Sequence, residues 1–303
     1  MAFKPIMPRD KAAPTGQAGR ERSALADFKR RYDRIGAVWQ AVLDRIDFAE
    51  IIQTNARRYE FRTMPQVLAA LLAEAGRMTD EILQEGGEDQ LWFSLEYALP
   101  AYEQGAAISW RNLGAQSQTY RRQFPQLLEL IASAPYQRRI GLLRAREFEE
   151  MQALSGLTKA NMGRALAQGL ASGVGPLETA RLMSEQLDIS RNRANLIART
   201  EINQALRTAR LDEAQDAQDR LGVQTRMMHL SALSPTTRPN HAGRHGKLYT
   251  IEEARDWWAS TEACNCKCST TEVLVDENGQ PLSPDFVRMV QQAGADYFER
   301  LAA

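Results

Sequence analysis

The chain reads as a mainly α protein: a helical amino-terminal body and a three-helix bundle, followed by a small β-rich Cys/His module and a carboxy-terminal helix. Three observations predict this. Apolar residues recur at three- and four-residue steps from Ser23 to about Arg220. After Arg220 the apolar period drops from about 3.6 to about 2. Every histidine and cysteine of the 303 residues then falls between Met228 and Val273, namely His229, His241, His245, Cys264, Cys266 and Cys268.

Length and composition set the bounds. A chain of this size holds one to three domains. Lys+Arg and Asp+Glu balance at 38 each, which excludes the strongly basic signature of a general nucleic-acid coat protein and leaves room for a locally basic surface. The start 'MAFKPIMPRDKAAPTGQAGRERSA' lacks the apolar core of a secretory signal. The best apolar run, 'VLAALLA' at 67–73, is far shorter than the roughly 20 residues of a membrane span. Three cysteines within five residues form no disulfide framework; they suit a reducing compartment and read as ligands or free thiols. A soluble, cytosolic protein with no membrane partner is expected.

The elements follow in order. Residues 1–22 carry Lys4, Arg9, Lys11, Arg20 and Arg22 against Asp10 and Glu21, and read as a disordered basic tail or as an arm that orders on a partner or on phosphate. Residues 23–152 form a helical domain. Leu25, Phe28, Tyr32, Ile35, Trp39, Val42 and Ile46 mark one helix face, and 'MPQVLAALLAEAGRM' opens a second helix at Pro65 that ends near Gly76. Residues 153–220 form the bundle: Thr158 caps one helix, Pro176 opens the next after 'ASGVGP', and Ser190 caps a third. Residues 221–282 are the β-rich module, with strands in 'VQTRMMHL', 'KLYT' and 'STTEVLV' and a turn at Asn278-Gly279. So small a module buries little apolar area and invites an extra clamp. Residues 283–303 form a helix opened by Ser283 and Pro284.

Arginine is the conspicuous charge. Arg191, Arg193, Arg199, Arg207 and Arg210 share one helix, with Arg138, Arg139, Arg144 and Arg146 upstream. The guanidinium fork suits phosphate, so Arg191, Arg193, Arg207 and Arg210 join the basic tail as candidate contacts for nucleic acid or a partner protein. The competing reading is a solvated, salt-bridged face, since Glu201, Asp212 and Glu213 are interspersed.

Three pieces now stand in a fixed order: 'RNRANLIARTEINQALRTARLDEAQ', then 'LSPTTRPNHAGRHGKLY', then 'CNCKC' running into a strand. This order resembles the phage head morphogenesis family, the minor head proteins like phage Mu protein F. The residues that carry the resemblance are Arg193-Ala194, Ile197 to Glu201, Thr237 to Pro239, His241, Gly246 and Asn265 to Cys268, within roughly residues 155–275. The resemblance implies a non-enzymatic virion protein of a tailed phage or prophage, taken up in the capsid interior near the portal after assembly in the host cytoplasm. Its implied partners are portal and capsid proteins and packaged double-stranded DNA. Arg199 and Glu201, with Arg238, Pro239 and Gly246, would be structural motif residues that fix the helix to the β module.

The Cys/His crowd admits competing readings. Cysteine-rich relatives would place zinc ligands at positions 238, 241, 263 and 266 or 268, but Arg238 and Ala263 remove two of these. Cys264 replaces one if 264–268 is extended, because Cys264, Cys266 and Cys268 then share a face and close a zinc site with His241. His229, where the family often carries tryptophan, and His245 are alternates. The bland reading is a metal-free cluster of buried thiols around His241. A metal-dependent nuclease built on His241 and His245 is the alternative function, and 'TTRPNHAGRHGK' supplies it no carboxylate nearer than Glu252 and Glu253.

Overall fold

The computed structural model describes residues 4–53 and 56–302. Among them, ten α-helices dominate, with one two-stranded and one three-stranded sheet, so the protein is mainly α. The chain divides into two compact units. One comprises residues 1–21, 96–143 and 199–303; the other comprises residues 22–95 and 144–198.

The second of these units is built on α1 (Ala18–Asp44), the hairpin β1 (Phe48–Gln53) and β2 (Ala56–Phe61), α2 (Pro65–Leu83), and parts of the long helices α6 (Ala134–Ala171) and α7 (Pro176–Leu221). The predicted face of α1 is its buried face: Phe28, Tyr32, Ile35, Trp39 and Val42 are all interior. Phe28 meets Trp92 edge-on at 5.0 Å and Phe93 at 5.8 Å. The polar ends of these aromatics are satisfied locally. Trp39 Nε1 donates to Thr79 Oγ1 at 3.1 Å, and the Tyr32 hydroxyl pairs with Thr158 Oγ1 at 3.0 Å.

Several expected breaks are absent. Thr158 and Ser190 do not cap helices; they lie inside α6 and α7, so residues 153–220 form two helices rather than three. The reason is back-bonding. Thr158 donates to Leu154 O at 2.8 Å and Ser190 to Gln186 O at 3.0 Å, which satisfies each hydroxyl within the helix. Likewise α2 runs through Gly76 to Leu83, because Ala75, Thr79, Ile82 and Leu83 extend its buried face. The β1–β2 hairpin was not foreseen; Tyr59 N–H in β2 donates to Gly173 O at 2.9 Å in the α6–α7 turn.

The first unit packs α3 (Leu99–Gln116), α4 (Gln118–Gln123), α5 (Leu127–Ile131), the rest of α6 and α7, and the sheet β4 (Leu248–Tyr249), β3 (Thr225–Leu230), β5 (Ser269–Leu274), in that spatial order. All three strands fall within the predicted segments. α10 (Pro284–Ala302) starts at the predicted proline and covers one sheet face, where Phe286, Val287 and Val290 cluster with Met228, Leu230 and Val273. Of the residues read as a disordered tail, 4–21 are docked within this unit, and 1–3 lie outside the described residues. Ile6 N–H donates to Asn112 Oδ1 at 2.7 Å, Thr271 Oγ1 donates to Ile6 O at 3.2 Å, and Gln17 is buried against Gln104. Composition alone hides this, because a few anchor groups with waiting partners order a segment that has little apolar area of its own.

Candidate functional site

Strand alternation sets the site. In β3 the residues Thr225, Met227 and His229 point to one face, and in the β3–β5 ladder Met227 faces Glu272 while His229 faces Thr270. Helices α7 and α9 (Ile251–Ala259) cover that face, so Leu211, Ala214, Ile251, Ala254 and Trp258 close over Met227, Cys266 and Cys268. His229 is fixed through its backbone: its N–H donates to Lys247 O at 3.0 Å and its carbonyl accepts from Gly246 N–H at 2.8 Å. Its ring is fully buried and stacks on Trp258 at 5.7 Å.

Three potential ligand groups converge here: those of His229, His241 and Cys268 lie within 4.8 Å of one another. Cys266 Sγ approaches His241 Nδ1 at 3.4 Å, and Cys268 Sγ approaches the same atom at 3.6 Å. His241 is held on α8 (Pro239–Gly243), a single turn that Pro239 opens. Neither ring nitrogen of His229 has a hydrogen-bond partner among the described residues, nor does His241 Nε2, which sits 3.6 Å from Glu262 Oε2. Burial, with His241 and Arg244 nearby, holds the His229 imidazole well below the usual histidine range, so it is neutral. The hydrogen bond from Cys268, then His241 and Arg207, pull the Cys266 thiol below the usual thiol range against the effect of burial.

Two expected ligands are elsewhere. Cys264 is half-buried; neither it nor Cys266 belongs to the group of three, but Cys266 meets that group at His241 Nδ1. Asn265 adopts φ +50°, so the run from 264 to 268 is not extended and the alternation that would align all three cysteines fails. His245 Nδ1 accepts from Ser231 N–H at 3.1 Å, and its ring lines a separate cavity with Met7, Lys11 and Arg300.

The motif residues cross-link this unit. Arg238 donates to Glu262 O and Cys264 O, each at 2.8 Å, and so ties the 'TTRPNH' loop to the 'EACNC' segment. Thr200 Oγ1 accepts from Asn265 N–H at 3.2 Å, so the threonine within 'ARTE' joins α7 to that segment. Glu201 is buried, and Arg199 lines a cavity of about 400 Å3 with Arg238, His241, Cys266 and Lys267. Gly246 has φ +75°, and a Cβ there would meet Gln291 N at 2.7 Å, so glycine is required.

The arginines divide. Arg207 and Arg210, expected on a contact surface, are interior. Arg207 donates to Cys266 O at 2.9 Å and Cys268 O at 3.3 Å and stacks over Trp258 at 4.2 Å. Arg210 makes a two-pronged pair with Glu272, Nη2 to Oε2 at 2.6 Å and Nε to Oε1 at 3.1 Å. Ser109 and Asn112 also donate to that carboxylate. Burial alone would raise the Glu272 carboxyl; Arg210, Ser109 and Asn112 hold it below the usual range. Lys4, Arg9, Lys11, Arg22 and Arg193 are exposed. Arg191 pairs with Asp188 at 2.9 Å, and Arg20 bonds Gln17 and Gln104. The residues missed in the sequence are Glu272, Glu262, Ser109 and Asn112. Of these, only a lone carboxylate inside 'STTEVLV' gave a signal.

Comparison with known proteins supports the resemblance. Residues 160–271 match the family described as Phage Mu protein F like protein. The chain is 23% identical over 244 residues to the Minor head protein GP7 of Bacillus phage SPP1, an alignment covering 77% of this chain and 73% of that protein. No solved structure matches. The matched span contains the 'ARTE', 'TTRPNH' and 'CNCKC' residues that carried the resemblance.

Proposed function

We propose that this chain, similar to phage minor head proteins, is a structural component of a tailed-phage or prophage head. It sits in the capsid interior near the portal and contacts packaged double-stranded DNA during retention or ejection. One observation carries the structural, non-enzymatic reading. The residues that mark the similarity are engaged in holding the protein together: Arg238 grips Glu262 O and Cys264 O, and Thr200 grips Asn265. Side chains occupied in this way build a rigid adaptor.

Exposed cations supply the nucleic-acid side. Lys4, Arg9, Lys11, Arg22 and Arg193 are exposed, and each phosphate contact they made would add about one unit to the salt dependence of DNA binding. Among the described residues no helix is long and apolar enough to cross a membrane.

The nuclease alternative has no support in the geometry. His241 and His245 line different cavities, and Glu262 is engaged by Arg244 and Asn240. Glu253 closes a capping box with Thr250.

The test is co-expression with the cognate capsid and portal proteins, followed by imaging of heads carrying a labelled chain. Label at the portal vertex inside the capsid is expected. Heads that form normally and never contain the chain would overturn the proposal. DNA cleavage by the purified protein with magnesium or manganese would revive the nuclease.

A further inference from the structure

The geometry points to a structural zinc site of two nitrogens and two sulfurs, formed by His229, His241, Cys266 and Cys268 and excluding Cys264. This inference does not depend on where the protein sits in a particle.

The distances argue first. Zinc binds thiolate at about 2.3 Å and imidazole at about 2.0–2.1 Å, so a tetrahedral site separates its nitrogen and sulfur ligands by about 3.5 Å. His241 Nδ1 lies 3.4 Å from Cys266 Sγ and 3.6 Å from Cys268 Sγ. A neutral thiol–imidazole contact explains one such approach, but two sulfurs converging on one ring nitrogen are the arrangement of ligands around a common centre. His229 lies beside them: the ligand atoms of His229, His241 and Cys268 are within 4.8 Å of one another, and Cys266 joins this group of three through its approach to His241 Nδ1.

Satisfaction of buried polar atoms argues second. His229 is fully buried, and both its ring nitrogens lack a hydrogen-bond partner among the described residues. An unpaired buried polar atom costs about 1–3 kcal/mol. A fold that places an imidazole there and gives it no donor or acceptor has left it for something else, and the ligand atoms of His241 and Cys268 lie within 4.8 Å.

The surroundings argue third. A ligating histidine usually turns its other nitrogen to a carboxylate. His241 Nε2 faces Glu262 Oε2 at 3.6 Å, and that carboxylate is itself held by Arg244 and Asn240. Arg207 holds the backbone carbonyls of both Cys266 and Cys268, which ties the segment that carries the two sulfurs to α7. Two thiolates balance the ion's charge, so the buried site is neutral.

Protein purified from zinc-supplemented cells without chelator should carry about one zinc per chain by elemental analysis. Cobalt added to reduced, metal-free protein should give the intense visible bands of a tetrahedral ion together with thiolate-to-cobalt charge transfer. Cys268→Ser and His229→Gln should each lower metal content at least tenfold, while Cys264→Ser should leave it unchanged. The cobalt titration uses the unmutated chain, so a variant that fails to fold does not remove the test. Cobalt that gives no charge-transfer band overturns the site. Zinc lost from Cys264→Ser and retained in His229→Gln overturns this ligand set in favour of one built on all three cysteines.

Discussion

The two units bury polar side chains in different ways. In the unit of residues 22–95 and 144–198, aromatic packing of Phe28, Trp92 and Phe93 is joined by neutral pairs, Tyr32 with Thr158 and Trp39 with Thr79. In the other unit the interior is charged. Arg207 and Arg210 are the largest fully buried side chains, Glu272 is completely enclosed, and Arg139 pairs with Asp216 at 3.0 Å. Neutral hydroxyl pairs each contribute about 1 kcal/mol. A buried ion pair contributes little net stability when whole but is costly when halved. The first unit therefore leans on an all-or-nothing polar lattice around Arg210 and Glu272, whereas the second leans on packing and neutral pairs, although it too encloses a carboxylate, Glu147.

Five substitutions test that contrast. The largest effect is expected from Arg210→Met or Glu272→Leu alone, each destabilising by about 3–5 kcal/mol in urea unfolding because the partner charge stays buried. The double variant should recover most of that loss. A single variant costing under about 1 kcal/mol would erase the distinction between the units. Next comes Gly246→Ala, expected to cost about 1–3 kcal/mol through its positive φ and its clash with the Gln291 backbone. A midpoint equal to wild type would show that α10 yields there.

Tyr32→Phe in the other unit should cost about 1 kcal/mol, since Thr158 keeps its bond to Leu154 O. A loss as large as that of Arg210→Met would mean that the second unit is also governed by its polar groups. The last effect is a change of slope with pH. Burial raises the Glu213 carboxyl to about 8; Arg139 opposes the rise, while Asp212 and Asp216 add to it, and Tyr102 and Tyr120 lie close by. A carboxyl whose folded pKa is raised stabilises fully below its unfolded pKa and loses that contribution as pH climbs through the folded value. Wild type should therefore lose stability relative to Glu213→Gln between about pH 4.5 and 8, and parallel pH profiles would remove Glu213 as the cause.

Legibility followed periodicity and ordered motifs. The strands at Thr225, Leu248 and Ser269, the helix starts at Pro65, Pro176 and Pro284, and the motif set at 193–268 could all be read, because each is a local signal. Thr158 and Ser190 misled, since a hydroxyl that caps a helix and one that bonds its own i−4 carbonyl are the same residue in the sequence. The hairpin at 48–61 was hidden because its polar faces gave no clear alternation. Arg207 and Arg210 looked like surface charge because their partners, two backbone carbonyls and Glu272, lie roughly 60 residues further along the chain. The Cys/His crowd was visible as a crowd, but its membership turned on one backbone angle, at Asn265.

The anchoring of the arm has a consequence in time as well as in space. Ile6 bonds Asn112 and Thr271, and the latter contact spans 265 positions of sequence. Synthesis proceeds from the amino terminus at about 5–20 residues per second, so Ile6 leaves the ribosome many seconds before Thr271 exists. Until then the arm has half of its docking surface, and closing so long a loop is a late event. A stretch made well before its partners is thus among the last to be fastened, and its fastening reports that β5 is in place.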